Sequence, residues 1–274
     1  MLALIVAACS DSTGPAFQIT ADDQNQAAVM SAASATAEDV NVLTASDMTM
    51  SGGATADMIR GGSLFSRSAQ SVAASYSWSF AGACTYEQST TRFTCPPITD
   101  AGLTLARDYA FFDANGASMS AYDPAATASA NFHVTVTGVH TAVAGADTVN
   151  RERSMTVSNL AGAETWRLWN GSGTRDDGGF RSDATATRTY HTTDHVTITD
   201  VKVTLPRSSN PWPASGTITR VISGTGTVEK SGVTKSFSIA RTVTVTFNGT
   251  QYATMSVGGN TYTLDLATGI ATRN

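Results

Sequence analysis

The residues of this chain with the clearest chemical potential are His191-Thr-Thr-Asp194-His195, two imidazoles and a carboxylate within five positions. Such groups can hold a divalent metal or relay a proton. In an extended strand His191, Thr193 and His195 share a face, and the two imidazoles stand about 13 Å apart, too far for one ion. A turn through residues 192–194 would bring them together. His191, Asp194 and His195 are therefore weak candidate ligands, set against a reading as solvated histidines near a strand end. His133 also falls on a threonine-rich face, which leaves a distributed polar site open. Asp113-Ala-Asn115-Gly116 begins like a calcium loop but lacks the later oxygen ligands and the closing glutamate, and a hairpin turn explains it. Arg175-Asp176-Asp177-Gly178-Gly179 reads as a polar loop, with calcium or glycan contact as the alternative. No Gly-x-Ser-x-Gly elbow, phosphate loop or His-Glu-x-x-His occurs. No catalytic residue, metal or cofactor is assigned, and enzymatic activity is not expected.

Trp166-Arg167-Leu168-Trp169 is the densest aromatic patch. In a strand Trp166 and Leu168 point one way and Arg167 and Trp169 the other. One tryptophan then belongs to the core. The other, if exposed beside Arg167, suits sugar or peptide contact; the alternative is that both are covered. Arg107, Arg220 and Arg241 interrupt otherwise apolar faces, either snorkelling or lining a cavity with polar heads. Trp166, Arg167, Trp169 and Arg241 are thus the candidate ligand contacts.

These residues lie on elements of period two. Tyr76, Trp78 and Phe80 alternate with serines, and Phe132, Val134 and Val136 with polar neighbours. From Phe237 to Phe247 one face carries Phe237, Ile239, Val243, Val245 and Phe247, broken by Arg241; the other carries Ser238, Ala240, Thr242, Thr244 and Thr246. That is a half-buried antiparallel strand. Asn115-Gly116, Asn248-Gly249 and Gly258-Gly259 supply hairpin turns, so the C-terminal end reads as a three-strand meander. Pro206 and Pro211-Trp212-Pro213 mark a longer loop. The apolar parity flips between Val196/Ile198 and Val201/Val203/Leu205, which calls for a bulge or bend near Asp200. No strand–helix alternation appears. The expected fold is mainly β: a curved antiparallel sheet of sequential hairpins, as half-barrel, barrel or sandwich, with one N-terminal helix. That helix spans 22–50, with Asp23 and Gln26 at capping-box spacing and a weak stripe of Met30, Ala33, Ala37, Val40 and Thr44. Residues 51–75 read as a flexible connection and 76–274 as the β domain.

Cys84 and Cys95 bracket a hairpin. With the turn centred on Ser89-Thr90, Tyr86 faces Phe93 and Cys84 faces Cys95, close enough to form a disulfide. Zinc competes for these thiols but lacks nearby partners.

The composition bounds the partners. Charged residues make up 14% of the chain and hydrophobic ones 41%, with a net charge of −5. No basic stripe is present to neutralise phosphates, so nucleic acid is excluded as a partner. The N-terminal run Leu2-Ala3-Leu4-Ile5-Val6-Ala7-Ala8-Cys9, followed at once by Ser10-Asp11-Ser12-Thr13-Gly14-Pro15, resembles the lipobox of bacterial lipoproteins. No Lys or Arg precedes Cys9, so a start upstream of residue 1, or a fragment, is expected. The resemblance implies a signal segment over 1–9 and a tether over 10–21. It also implies that Cys9, acylated with chains such as palmitate, is the first mature residue. Ser10, where an aspartate would resemble an inner-membrane retention signal, points to the outer membrane of the cell envelope. The expected function is non-catalytic binding of a hydrophobic ligand. The alternative is a structural or interaction lipoprotein with a filled core that docks an envelope protein or glycan. An open apolar pocket separates the first from the second.

Overall fold

The computed structural model describes residues 21–50, 84–100, 102–142, 145–182 and 187–274. Cys9, the tether and the 51–75 connection fall largely or wholly outside these residues, as does the strand expected around Tyr76–Phe80.

Among the described residues one helix, α1 (Ala21–Met50), precedes thirteen strands. They are β1 (Thr85–Glu87), β2 (Arg92–Asp100), β3 (Leu103–Phe112), β4 (Ser118–Met119), β5 (Ser129–Ala142), β6 (Gly145–Ser158) and β7 (Trp166–Ser182). The rest are β8 (Thr187–Thr204), β9 (Ser215–Lys230), β10 (Val233–Thr246), β11 (Tyr252–Val257), β12 (Asn260–Asp265) and β13 (Ile270–Arg273). All belong to one antiparallel sheet in which chain order is spatial order, except that β4 is a short flap on β3 and β5 takes the next place. The sheet is curved and open, which settles the three expected architectures in favour of the half-barrel. Its inner face forms a trough, and α1 lies in it.

The inward parity of each strand builds the core. Leu105, Phe132, Met155, Trp169, Ile198, Ile218, Val243 and Met255 are all buried there. Val243 is fully buried, whereas Thr242 and Thr246 face out and Thr244 is half-buried. Val243→Ala should therefore lower the unfolding free energy by more than about 1 kcal/mol. Thr244→Ala should cost about 0.5 kcal/mol or less. Urea melts of both variants check this, and equal losses would contradict a sheet with one buried face.

The helix is buried on most of its circumference, not along one stripe. Ala28, Val29, Ala32, Ala33, Ala35, Ala37, Val40 and Leu43 are all buried, and so are Asn25, Thr36 and Asp39. Small side chains permit this: an alanine-rich helix presents a narrow cylinder that sinks deep between the walls of the trough. Alanine also has the best intrinsic helix propensity. Because the helix has few large apolar groups, its seating depends on the sheet.

Local chemistry explains the punctuation. Tyr86 pairs with Phe93 across the first hairpin, and Cys84 and Cys95 form a disulfide. At Asp113 the carboxylate accepts hydrogen bonds from the backbone N–H groups of Asn115 and Ala117 (2.8 Å each), a turn and not a calcium loop. Near Asp200 the β8–β9 register shifts between Thr199 and Lys202, with Asp200 at a φ of 50°, so the parity flip is a bulge. Gly258-Gly259 makes the tight β11–β12 turn, closing on Val257 and Asn260. Asn248-Gly249 does not make a tight hairpin as expected. The β10–β11 register pairs Thr246 with Thr254, so these two residues sit in a wider connection. There Asn248 Oδ1 binds the Thr250 amide and hydroxyl, and the Phe247 amide is drawn to Gly216.

Candidate functional site

The sheet offers two surfaces, and the charged residues of the inner one come from positions that look apolar by parity. Arg151 and Arg153 follow Val149 and precede Met155 on the inward side of β6; Arg175 and Asp177 occupy it on β7, Asp194 on β8 and Arg220 on β9. Arg175-Asp176-Asp177-Gly178-Gly179 is therefore not the loop its composition suggests. It is the middle of a seventeen-residue strand, and its two glycines pair with Tyr190 and His191 of β8. Long ladders on both sides override the local turn preference.

These side chains converge on α1. Asp39 is the centre: Arg153 Nε donates to its Oδ1 (2.8 Å) and Arg220 Nη2 to its Oδ2. Arg220 Nη1 also donates to both oxygens of Asp194 (3.0 and 3.2 Å). Beside this cluster Arg151 bridges Glu38 of the helix and Asp177, and Arg175 binds Asp177 and the Ser31 carbonyl (3.1 Å). Further along, Arg241 donates to Asn25 and to Gln24 Oε1 (3.0 Å), and Arg207 to Thr44. Arginines of β6, β7, β9, β10 and the Pro206–Pro213 loop thus meet polar groups of the helix from end to end. A single carboxylate, Asp39, ties β6 to β9 although β7 and β8 lie between them in the sheet, which the curvature makes possible. Gly173 makes room: a Cβ there would come within 2.7 Å of Arg153 Cδ and 2.2 Å of the Glu152 carbonyl oxygen.

The core of this cluster is electrically balanced, with Arg151, Arg153, Arg175 and Arg220 against Glu38, Asp39, Asp177 and Asp194. Burial works against the charge of Asp39, but the charges of Arg153 and Arg220 and the Arg153 hydrogen bond hold its carboxyl below the ordinary value. At Asp177 burial again opposes ionisation, and Arg175 and Arg151 overcome it, bringing the carboxyl from 3.8 to about 2. A depressed carboxylate contributes stability above its unfolded value and loses it as pH falls through the folded one. The Asp177 contribution, roughly 2 kcal/mol, is thus complete above about pH 4 and disappears towards pH 2. Asp177→Asn should lower stability near neutrality and flatten the fall in unfolding free energy across that window, as denaturant titrations at a series of pH values would measure.

The tetrapeptide Trp166–Trp169 divides as strand parity requires. Trp169 is fully buried against Phe132 (ring centroids 5.7 Å), and Arg167 is buried beside it, paired to Glu164 (2.5 Å). Trp166 is half-exposed on the outer face, with Lys202 Nζ 4.8 Å from its ring centroid. Of the four candidate contacts, Trp166 alone is on that outer face; Arg241 is bound to the helix. The metal candidates separate as well. His191 and His195 are exposed on the outer face of β8, while Asp194 is buried on the inner face with Arg220. Among the described residues no three His, Cys, Asp or Glu side chains are arranged to hold a metal. His133 lies between Asp108 (Nδ1–Oδ2 3.0 Å) and Glu152 (Nε2–Oε1 3.1 Å) on the outer face. Both ring nitrogens are directed at carboxylates, so the neighbouring Ser154 across the ladder is not activated by it.

Towards the Asp200 end of β8–β13 the outer face is dominated by hydroxyls. One row runs across five strands as Thr197, Thr219, Thr244, Ser256 and Thr261. The next runs across six as Thr199, Thr217, Thr246, Thr254, Thr263 and Thr272. None of these positions is charged. Each pair of rows is two residues apart along the strand, about 6.8 Å, and neighbouring strands are about 4.8 Å apart. Hydroxyls pair across strands at Thr189–Thr227 (2.6 Å), Thr193–Ser223 (2.8 Å) and Thr219–Thr244 (3.4 Å). The Phe237–Phe247 alternation of β10 was the sequence signal for this face; that the rows align across strands is set by register, which alternation alone does not give.

No helix among the described residues is long and apolar enough to cross a membrane. The chain matches no family model, no curated protein and no solved structure.

Proposed function

We propose that this protein is a non-catalytic interaction protein of the bacterial cell envelope, anchored through Cys9, with its trough permanently filled and its outer sheet face as the working surface. The observation that carries this reading is the fit of α1 in the trough. The volume a hydrophobic ligand would need is taken by the helix, and polar groups along that helix are met by arginines of the sheet. A wide-mouthed recess of about 480 Å³ remains between the start of α1 and β10, lined by Gln24, Ser236, Phe237 and Ser238. Its lining is half polar, which suits water better than an acyl chain. This favours docking over ligand carriage. The outer-membrane location rests on the lipobox-like run and Ser10.

The test uses the soluble form beginning at Ser10, mixed with isolated cell envelopes and sedimented. The wild type should sediment with the envelopes. Thr217→Lys and Thr246→Lys, which place charge on the outer face without touching the core, should stay in solution. Sedimentation unchanged in both variants, or a stoichiometric lipid found by mass spectrometry in the purified protein, would overturn the reading in favour of a carrier. For the anchor, Cys9→Ser in the full precursor should release the protein from membranes; full retention would contradict it.

A further inference from the structure

We propose that the outer face binds a neutral polysaccharide strand, with the hydroxyl rows of β8–β13 as its hydrogen-bonding bed and Trp166 as an aromatic platform at one end. The proposal deepens the docking reading above and rests on it. Four observations favour this partner over others.

The first is charge. The two rows contain no ionisable side chain across six strands; the charges bordering them stand at the rim, at Asp200, Lys202 and Asp265, and the Asp108–His133–Glu152 and Asp176–His191 groups lie on other strands or further along the face. A polyanion or polycation laid along the rows would meet no counter-charge, whereas a neutral partner has nothing to lose there. The second is the scarcity of apolar area. Val221 and Tyr252 are the large apolar side chains exposed on this part of the face, at 56% and 53%, and they are not adjacent. A protein partner would look for a contiguous apolar centre, and none is formed here.

The third is preorganisation. Threonine is β-branched and stiff at χ1, and these residues are held in a continuous ladder, so little freedom is lost when a ligand hydrogen-bonds to them. A hydroxyl both donates and accepts, which matches the mixed donors and acceptors of a sugar. Each row steps by about 4.8 Å from strand to strand, close to the repeat of one hexose in an extended chain. The fourth is Trp166. It pairs with Thr204 of β8, two residues past Lys202, whose own partner in β9 is Ser215, so the ring stands on the same face beyond the Thr217 end of the rows. The C–H groups on one side of a pyranose carry partial positive charge and stack on an indole. What now covers the ring is the flexible Lys202 chain, in an exposed cation–π contact of the weak kind, so a sugar can take its place.

The experiment is affinity gel electrophoresis of the soluble protein in gels containing mixed-linkage β-glucan, xylan, galactomannan or dextran, with polygalacturonate as the anionic control. The wild type should be retarded by at least one neutral polymer and not by polygalacturonate. Trp166→Ala, and the isosteric triple Thr217→Val/Thr246→Val/Thr254→Val, should each weaken that retardation at least tenfold. Thr94→Val/Thr99→Val on β2 should leave it unchanged. Thermal melts by circular dichroism establish that the variants are folded. No retardation by any neutral polymer, equal retardation by the anionic one, or variants that bind like the wild type would overturn the proposal. If outer-face variants lose the envelopes in sedimentation while no glycan retards the protein, the docking reading stands and the polysaccharide falls. If the variants lose neither, both fall.

Discussion

Asp39→Ala should lower the unfolding free energy by about 3–5 kcal/mol, the range for removing one partner of a buried charge pair. The carboxylate is 2% exposed and its two oxygens serve two arginines from different strands. Without it Arg153 retains the carbonyls of Glu152 and Thr174, and Arg220 retains Asp194. Two desolvated guanidinium groups then share too little negative charge. The size of the loss reflects a charge left uncompensated and does not measure the net worth of the cluster. A second variant separates the two: Asp39→Ala combined with Arg153→Met removes the orphaned cation and should be more stable than Asp39→Ala alone. Urea melts of both supply the comparison. A single-variant loss under about 1 kcal/mol would mean that α1 is not seated against β6 and β9.

Two tryptophans three residues apart should respond in opposite ways. Trp169→Ala opens a large hole in the aromatic cluster with Phe132 and should cost about 3–5 kcal/mol. Trp166→Ala removes a half-exposed ring capped by Lys202 and should cost about 1 kcal/mol or less. Thermal or urea denaturation of the pair decides it, and similar losses would mean that the outer face around Trp166 is covered.

Much of the fold was legible because strand parity is a local property. The Phe237–Phe247 alternation, the Tyr86–Phe93 register with its disulfide and the bulge at Asp200 follow from residues close in sequence, and each is present. The inner cluster was not legible for the opposite reason. Arg220 and Asp39 are 181 positions apart, and Arg151 and Glu38 113, so no local pattern links them. A signal did exist: Arg151, Arg153, Arg175, Asp177, Asp194 and Arg220 all stand at the inward parity of their strands. Charges at core parity demand buried partners. The run Asp176-Asp177-Gly178-Gly179 hid part of this by looking like a turn, although ladders on both sides hold it extended. Asn248-Gly249 misled similarly, since a dipeptide suited to a tight hairpin here serves a wider loop. On the outer face, the exposure of Trp166 was anticipated as one of two options, and only the direction of the Trp169 side chain settled which tryptophan it was.

The claim on which the functional account depends is that α1 is a permanent part of the core and not a lid over a ligand site. Hydrogen exchange followed by mass spectrometry tests it directly, in the soluble protein with and without oleate. The account predicts that amides of α1 between Asn25 and Ser46 exchange as slowly as those in the centres of β8, β9 and β10, and that oleate changes neither. Faster exchange in α1 than in the sheet, accelerated further by oleate, would show the trough opening to an acyl chain and would contradict it.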